Sequence, residues 1–204
     1  MNQPGLRRRA FLALASGFGG SAMAALLAPG RGGAADGPAD ACVPSSALSR
    51  GIGQETPLPA TADVRLQPGE MLVVQGVNPR CFYYPTQLVV QPGAVYAFDS
   101  VGFWKDGALP SCGPEGWPGL LLQLANRLPG RQFFLLCGSV GQTDRTAFAI
   151  GRRKRWRAPG LAPGGDDRLY LFANDWPQRI FQDNNRALDP AQGGPLRVTI
   201  SRVS

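Results

Sequence analysis

The sequence predicts an all-β fold, a two-sheet sandwich. Three observations point there. The 204 residues include 27 glycines and 19 prolines, too much chain punctuation for a helical protein. Apolar residues make up 44% of the chain, too many for disorder. No window holds a long period of 3.6, whereas short apolar runs recur between turn signals.

The strands follow in order. Val64–Leu66 leads through Gln67-Pro68-Gly69-Glu70 into Met71–Val74. The arrangement recurs as Leu88–Val90, Gln91-Pro92-Gly93-Ala94 and Val95–Phe98. In each, proline presets the first central turn position and glycine takes the positive φ of a type II turn. Further candidates are Gly119–Leu124, Gln132–Cys137, Ala147–Ile150, Arg168–Ala173 and Leu196–Val203; Leu120–Leu128 also reads as a short helix. The last strand alternates, with Leu196, Val198, Ile200 and Arg202 on one face and Arg197, Thr199, Ser201 and Val203 on the other.

The N-terminus reads as an address. Arg7-Arg8-Arg9 followed by Phe11-Leu12 is a twin-arginine export pattern. A weakly apolar stretch, Ala10–Ala28, and the small residues Gly33-Ala34-Ala35 complete a signal peptide over 1–35. A flexible lead-in is expected over 36–60 and the sandwich domain over 61–204. The expected location is periplasmic or secreted. The export segment carries four of the 21 basic residues and no acid, which leaves 17 basic against 14 acidic residues, net +3. The basic balance of the whole chain is therefore weak support for a nucleic-acid partner, and none is expected.

With no histidine, the chain has no Ser-His-Asp triad, Cys-His pair or His-ligated zinc. Its four cysteines, 42, 81, 112 and 137, form no CxxC motif. An oxidising compartment favours two disulfides, and four cysteines allow three pairings. The expected pairing is Cys42–Cys81 and Cys112–Cys137.

Several pieces resemble the LecA-type bacterial galactose-binding lectin-like domains. They are Phe98-Asp99-Ser100-Val101-Gly102-Phe103-Trp104, Gly119–Leu124, Phe148-Ala149-Ile150-Gly151, Leu169-Tyr170-Leu171-Phe172-Ala173-Asn174-Asp175, Phe181-Gln182-Asp183-Asn184-Asn185 and Leu196–Ile200. Their order agrees with that family over about residues 85–203. The resemblance implies a galactose-binding-domain-like sandwich of jelly-roll type and a non-catalytic lectin. It implies calcium held by Asp175, Asp183 and Asn184, with backbone carbonyls from this loop and the loop after Trp104. Hard cations need several oxygen ligands, and two carboxylates on one loop repel unless a cation lies between them.

Ligand-binding candidates are Asp106, Glu115, Trp117, Trp176 and Asn185. Asn185-Arg186 stands where the family has glycine, and no histidine is present to hold a sugar hydroxyl. Both departures bear on sugar specificity. Of the aromatic set Phe103, Trp104, Trp117, Trp156 and Trp176, Trp117 and Trp176 are expected at the surface, where aromatic faces stack on sugars. The expected partner is a carbohydrate or glycoconjugate.

A second reading starts from Arg152-Arg153-Lys154-Arg155-Trp156-Arg157. Arginine forks bond carboxylates and phosphates bidentately, so this segment suits an anionic envelope polymer such as acidic polysaccharide or lipopolysaccharide. An enzyme would need a pair of carboxylates. Asp99, Asp106 and Glu115 are available, but no spacing singles out two of them.

Overall fold

The computed structural model describes residues 42–49, 54–107, 109–118, 123, 125–161, 163–177 and 185–204. Residues 1–35, read above as an export signal, most of the 119–124 candidate, Asp183 and Asn184 lie outside the described residues.

The described residues form twelve strands: β1 (Ser46–Ser49), β2 (Glu55–Pro57), β3 (Met71–Val77), β4 (Tyr84–Val89), β5 (Val95–Val101), β6 (Trp104–Asp106), β7 (Leu136–Val140), β8 (Phe148–Ala149), β9 (Arg153–Arg157), β10 (Arg168–Ala173), β11 (Asn185–Ala187) and β12 (Leu196–Arg202). They form a six-stranded sheet, β2-β1-β3-β12-β5-β9, a four-stranded sheet, β4-β10-β7-β8, and the pair β11-β6. All pairings between these strands are antiparallel.

The two larger sheets share one core. Leu72, Val74, Tyr96, Phe98, Val198 and Ile200 come from the large sheet; Tyr84, Leu88, Leu136, Leu169 and Leu171 come from the smaller one. The two-sheet β-sandwich expected from the sequence is the observed architecture. In β12 the alternation is as read: Leu196, Val198 and Ile200 are fully buried and Arg197 is exposed. Both proline-glycine turns close with a hydrogen bond, Glu70 N to Gln67 O at 3.0 Å and Ala94 N to Gln91 O at 3.1 Å. Gly69 and Gly93 take φ of +86° and +76°, the left-handed region that a type II turn requires.

Several expectations change. Val64–Leu66 forms no strand; Val64 makes an isolated bridge to Leu88. The sheet begins before residue 61: β1 pairs with β3, and β2 with β1, inside the segment read as a flexible lead-in. These strands are short and built of small or polar residues, so they carry little periodicity. The Gln132–Cys137 strand moves C-terminally to β7, because Trp117 N bonds Phe133 O outside any regular ladder. The basic run becomes β9, an edge strand on β5.

Cys42 and Cys81 form a disulfide, with Cα atoms 5.6 Å apart. The expected Cys112–Cys137 bond is corrected, because both are free buried thiols. Side chains alternate faces along β7. Leu136 enters the sandwich core with Cys112, whereas Cys137 faces the opposite way, against Leu135 and Phe172. Burial pushes the Cys112 thiol up to about 12 and raises that of Cys137 as well. An aromatic disulfide reagent is therefore expected to find no reactive thiol in the native protein. After unfolding in denaturant it should find two; four would refute the disulfide, and none would refute the free pair.

Candidate functional site

The end of β10 and the start of β11 meet around one carboxylate. Beyond Ala173 the chain leaves the sheet, and Asn174 and Asp175 are 0% and 3% exposed. Asn174 clamps the segment before β7. Its side-chain oxygen accepts from Leu128 N at 2.7 Å, and its amide nitrogen donates to Leu128 O at 3.2 Å and Gln132 O at 2.9 Å. Asp175 is thereby placed beside Asn185, the first residue of β11. Its Oδ1 accepts from Trp176 N at 2.6 Å, and its Oδ2 accepts from Asn185 Nδ2 at 3.0 Å.

Asn185 ties three segments together. Its amide nitrogen also donates to Pro79 O at 3.1 Å, and its backbone lies in register with Asp106 of β6. Asn185 is fully buried, yet its side-chain oxygen, Oδ1, finds no hydrogen-bond donor among the described residues. Burial holds the Asp175 carboxyl above the usual carboxylate range, against the lowering effect of the Asn185 and Trp176 bonds and of Arg127. The site is thus a desolvated acid, with one donor on each oxygen, beside the orphaned side-chain oxygen of Asn185.

The donor set suits a hard cation. Carboxylate and amide oxygens are the ligands such ions take; Asn185 turns its amide nitrogen, not its oxygen, to Asp175, so one ion would meet both oxygens only with that amide reversed. Among the described residues no three acidic or thiol side chains converge. Asp183 and Asn184, the other two donors implied by the resemblance, lie outside the described residues.

The remaining candidates divide. Asp106 is half-buried and reaches the site through its pairing with Asn185. Glu115 is exposed and forms an ion pair with Arg152, 2.7 Å apart. Trp117 is half-buried and packs on Phe133 and Phe134, with ring centroids 5.8 and 5.2 Å away. Trp176, beside Asp175, is half-buried against the core. Trp104 is fully buried, and its backbone exchanges two 3.0 Å bonds with Cys112. Among the described residues the exposed ring is Phe103, at 43%, on the approach to β6. Sequence reasoning missed Asn174 as a clamp. Its signal was present in the Asn-Asp pair closing a buried strand, a position where Asn satisfies loop backbone groups.

In the basic segment, Trp156 turns inward. Its ring stacks on Phe148 at 4.2 Å and 7°, so it is withdrawn from the polyanion-binding set. Arg152, Arg153, Lys154, Arg155 and Arg157 are exposed.

No protein-family description and no curated protein matches the chain. Among solved structures it is similar to one described as "EclA N-terminal domain; PllA-like lectin". The two are 20% identical with a TM-score of 0.40, over 61% of this chain and 91% of that one.

Proposed function

We propose that the chain is an exported, non-catalytic carbohydrate-binding module whose recognition loop is set by a calcium ion. The observation that carries the metal part is the buried Asp175 carboxylate beside the orphaned side-chain oxygen of Asn185. Asp175 and Asn185 are the proposed described ligands, with Asp183 and Asn184 as further donors. Support for the sugar part comes from the ordered pieces of sequence that resemble galactose-binding lectin-like domains. Bound calcium would offer open coordination positions to sugar hydroxyls. Asp106 and the exposed Phe103 ring would flank the sugar.

Calcium is expected to raise the melting temperature of the mature protein, and a chelator should reverse the effect. Asp175→Asn should abolish the response while leaving a folded protein. A glycan array probed with calcium and with chelator tests the sugar part. An unchanged melting temperature at millimolar calcium would refute the metal, and a blank array in calcium would refute the lectin.

The raised pKa of Asp175 gives a pH prediction. In chelator, the folded state holds the Asp175 proton more tightly than the unfolded chain does. Its contribution is therefore most favourable below the ordinary carboxylate range and is lost as pH rises through the folded value. The melting temperature of Asp175→Asn minus that of the parent should fall as pH is lowered from neutral. The calcium response of the parent should fade over the same window, because protons and the cation compete for one carboxylate. A pH-independent difference between the two proteins would show that the carboxylate is not desolvated.

A further inference from the structure

The outer face of the six-stranded sheet carries a second feature, made of residues separate from Asp175 and Asn185. Side chains alternate along each strand. Tyr96, Phe98, Val198 and Ile200 enter the core, so Ala97, Asp99, Thr199 and Ser201 point outward. These outward side chains are small. Longer ones flank them: Met71 on one side, and Arg153 and Arg155 of β9 on the other, in register with Asp99 and Ala97. The result is an open groove of about 540 Å³ whose floor bears two hydroxyls and the Asp99 carboxylate, beside a cationic wall.

The charges of that wall are unevenly compensated. Arg153 lies 3.4 Å from Asp99. Lys154 and Arg155 have no ion-pair partner among the described residues. Arg157, at the strand end, donates to Gly93 O at 2.9 Å. Cationic residues on an edge strand also prevent edge-to-edge pairing. That need is met by charge anywhere along the edge. It does not call for a hydroxyl-floored groove beside the charge.

We propose that this groove binds a uronate-bearing polysaccharide. The Arg155 fork, and that of Arg153 on exchanging Asp99 for the ligand, would take carboxylates borne along one chain, since alternate residues of a strand repeat at about 6.6 Å and guanidinium matches carboxylate in plane. Thr199 and Ser201 would meet the sugar hydroxyls. The wide, open groove suits a chain laid across it better than an enclosed small molecule. The outward face bears the exposed valines Val101 and Val203 as well as Met71, whereas Phe98 turns into the core, so among the described residues no outward aromatic ring is present to insert into a lipid surface. The proposal is independent of the calcium reading, because it uses none of the same residues.

The test is titration of the mature protein with an oligogalacturonate, using dextran as the neutral control. Arms with chelator, a salt series and a DNA duplex complete it. Binding should persist in chelator, weaken steeply with salt and exceed that of dextran at least tenfold. The pair R153E and R155E should lose at least tenfold in affinity. The pair R65E and R145E changes net charge equally, at exposed positions away from the groove, and should stay within twofold of the parent. Circular dichroism of both variants checks the fold. Equal loss in the two variants would reduce the effect to net charge and overturn the site. Dextran binding as well as the uronate, or a duplex binding as tightly with the same salt slope, would overturn the ligand class. Loss of binding in chelator would assign it to the calcium site instead.

Discussion

Asp144→Ala is expected to lower the stability of the domain by about 3 kcal/mol, or about 6–12 °C in melting temperature. The reason lies on the outer face of the four-stranded sheet. There the side chain of Arg127 is fully shielded from solvent. Its guanidinium carbon sits 3.9, 4.5 and 3.7 Å from the ring centroids of Phe82, Tyr83 and Phe172. Nη1 donates to Phe82 O at 2.6 Å, Nε donates to both oxygens of Asp144 at 3.1 and 3.2 Å, and Nη2 donates to Oδ1 at 2.5 Å. The Tyr83 hydroxyl donates to the same carboxylate at 2.9 Å. Removing Asp144 leaves a desolvated cation with ring faces and one carbonyl. Arg127→Met removes that cation and refills much of its volume, leaving a carboxylate whose side chain is 33% exposed and can hydrate. The methionine variant should therefore lose less than the alanine variant in denaturant titrations. The opposite ranking, or an unchanged midpoint for Asp144→Ala, would show that the lock contributes no net stability.

That lock bears on the candidate site. Arg127 N donates to Asp175 O at 3.0 Å, and the next residue, Leu128, is clamped by Asn174. An anchored guanidinium thus holds the segment that fixes the buried acid. No sequence pattern announces this. Arg127, Asp144 and the three rings come from four separated stretches, and a lone arginine beside Leu128 reads as surface charge.

Legibility followed periodicity. β10 and β12 were readable because their apolar residues recur over six or seven positions. The proline-glycine turns were readable because their chemistry is local. β1, β2, β6 and β11 have three or four residues each, too few to establish a period of two. Their pairing is set by partners far along the chain. The basic run hid its strand for another reason. Only Trp156 marks the inward face of β9, and a single aromatic among cations reads equally as a ligand platform. At the candidate site, Asp175 was visible in the Asn-Asp pair. Asn185 was visible only as a departure from a glycine pattern. What brings them together is the pairing of β11 with β6 and the reach of Asn185 to Pro79, both long-range.

Removal of the disulfide is expected to be the other large effect. Cys42 and Cys81 are 39 residues apart, and closing a loop of that length corresponds to about 4 kcal/mol of chain entropy at 25 °C. The Cys42→Ser and Cys81→Ser pair should lower the denaturation midpoint accordingly, with the denaturant slope rising as the unfolded state expands. The bond also lies close to the candidate site. Cys81 N donates to Asn78 O at 3.1 Å, and the turn so closed carries Pro79, whose carbonyl accepts from Asn185. Freed from Cys42, that turn can shift, and Asn185 loses a bond orienting its amide beside Asp175. The serine pair should therefore weaken the calcium response at a temperature where the domain remains folded. It should leave oligogalacturonate binding near the parent value, because β5, β9 and β12 do not touch the turn through any of these bonds. An intact calcium response in the serine pair would mean that Asn185 is oriented without Pro79. Loss of both responses would mean that the sheet itself had loosened.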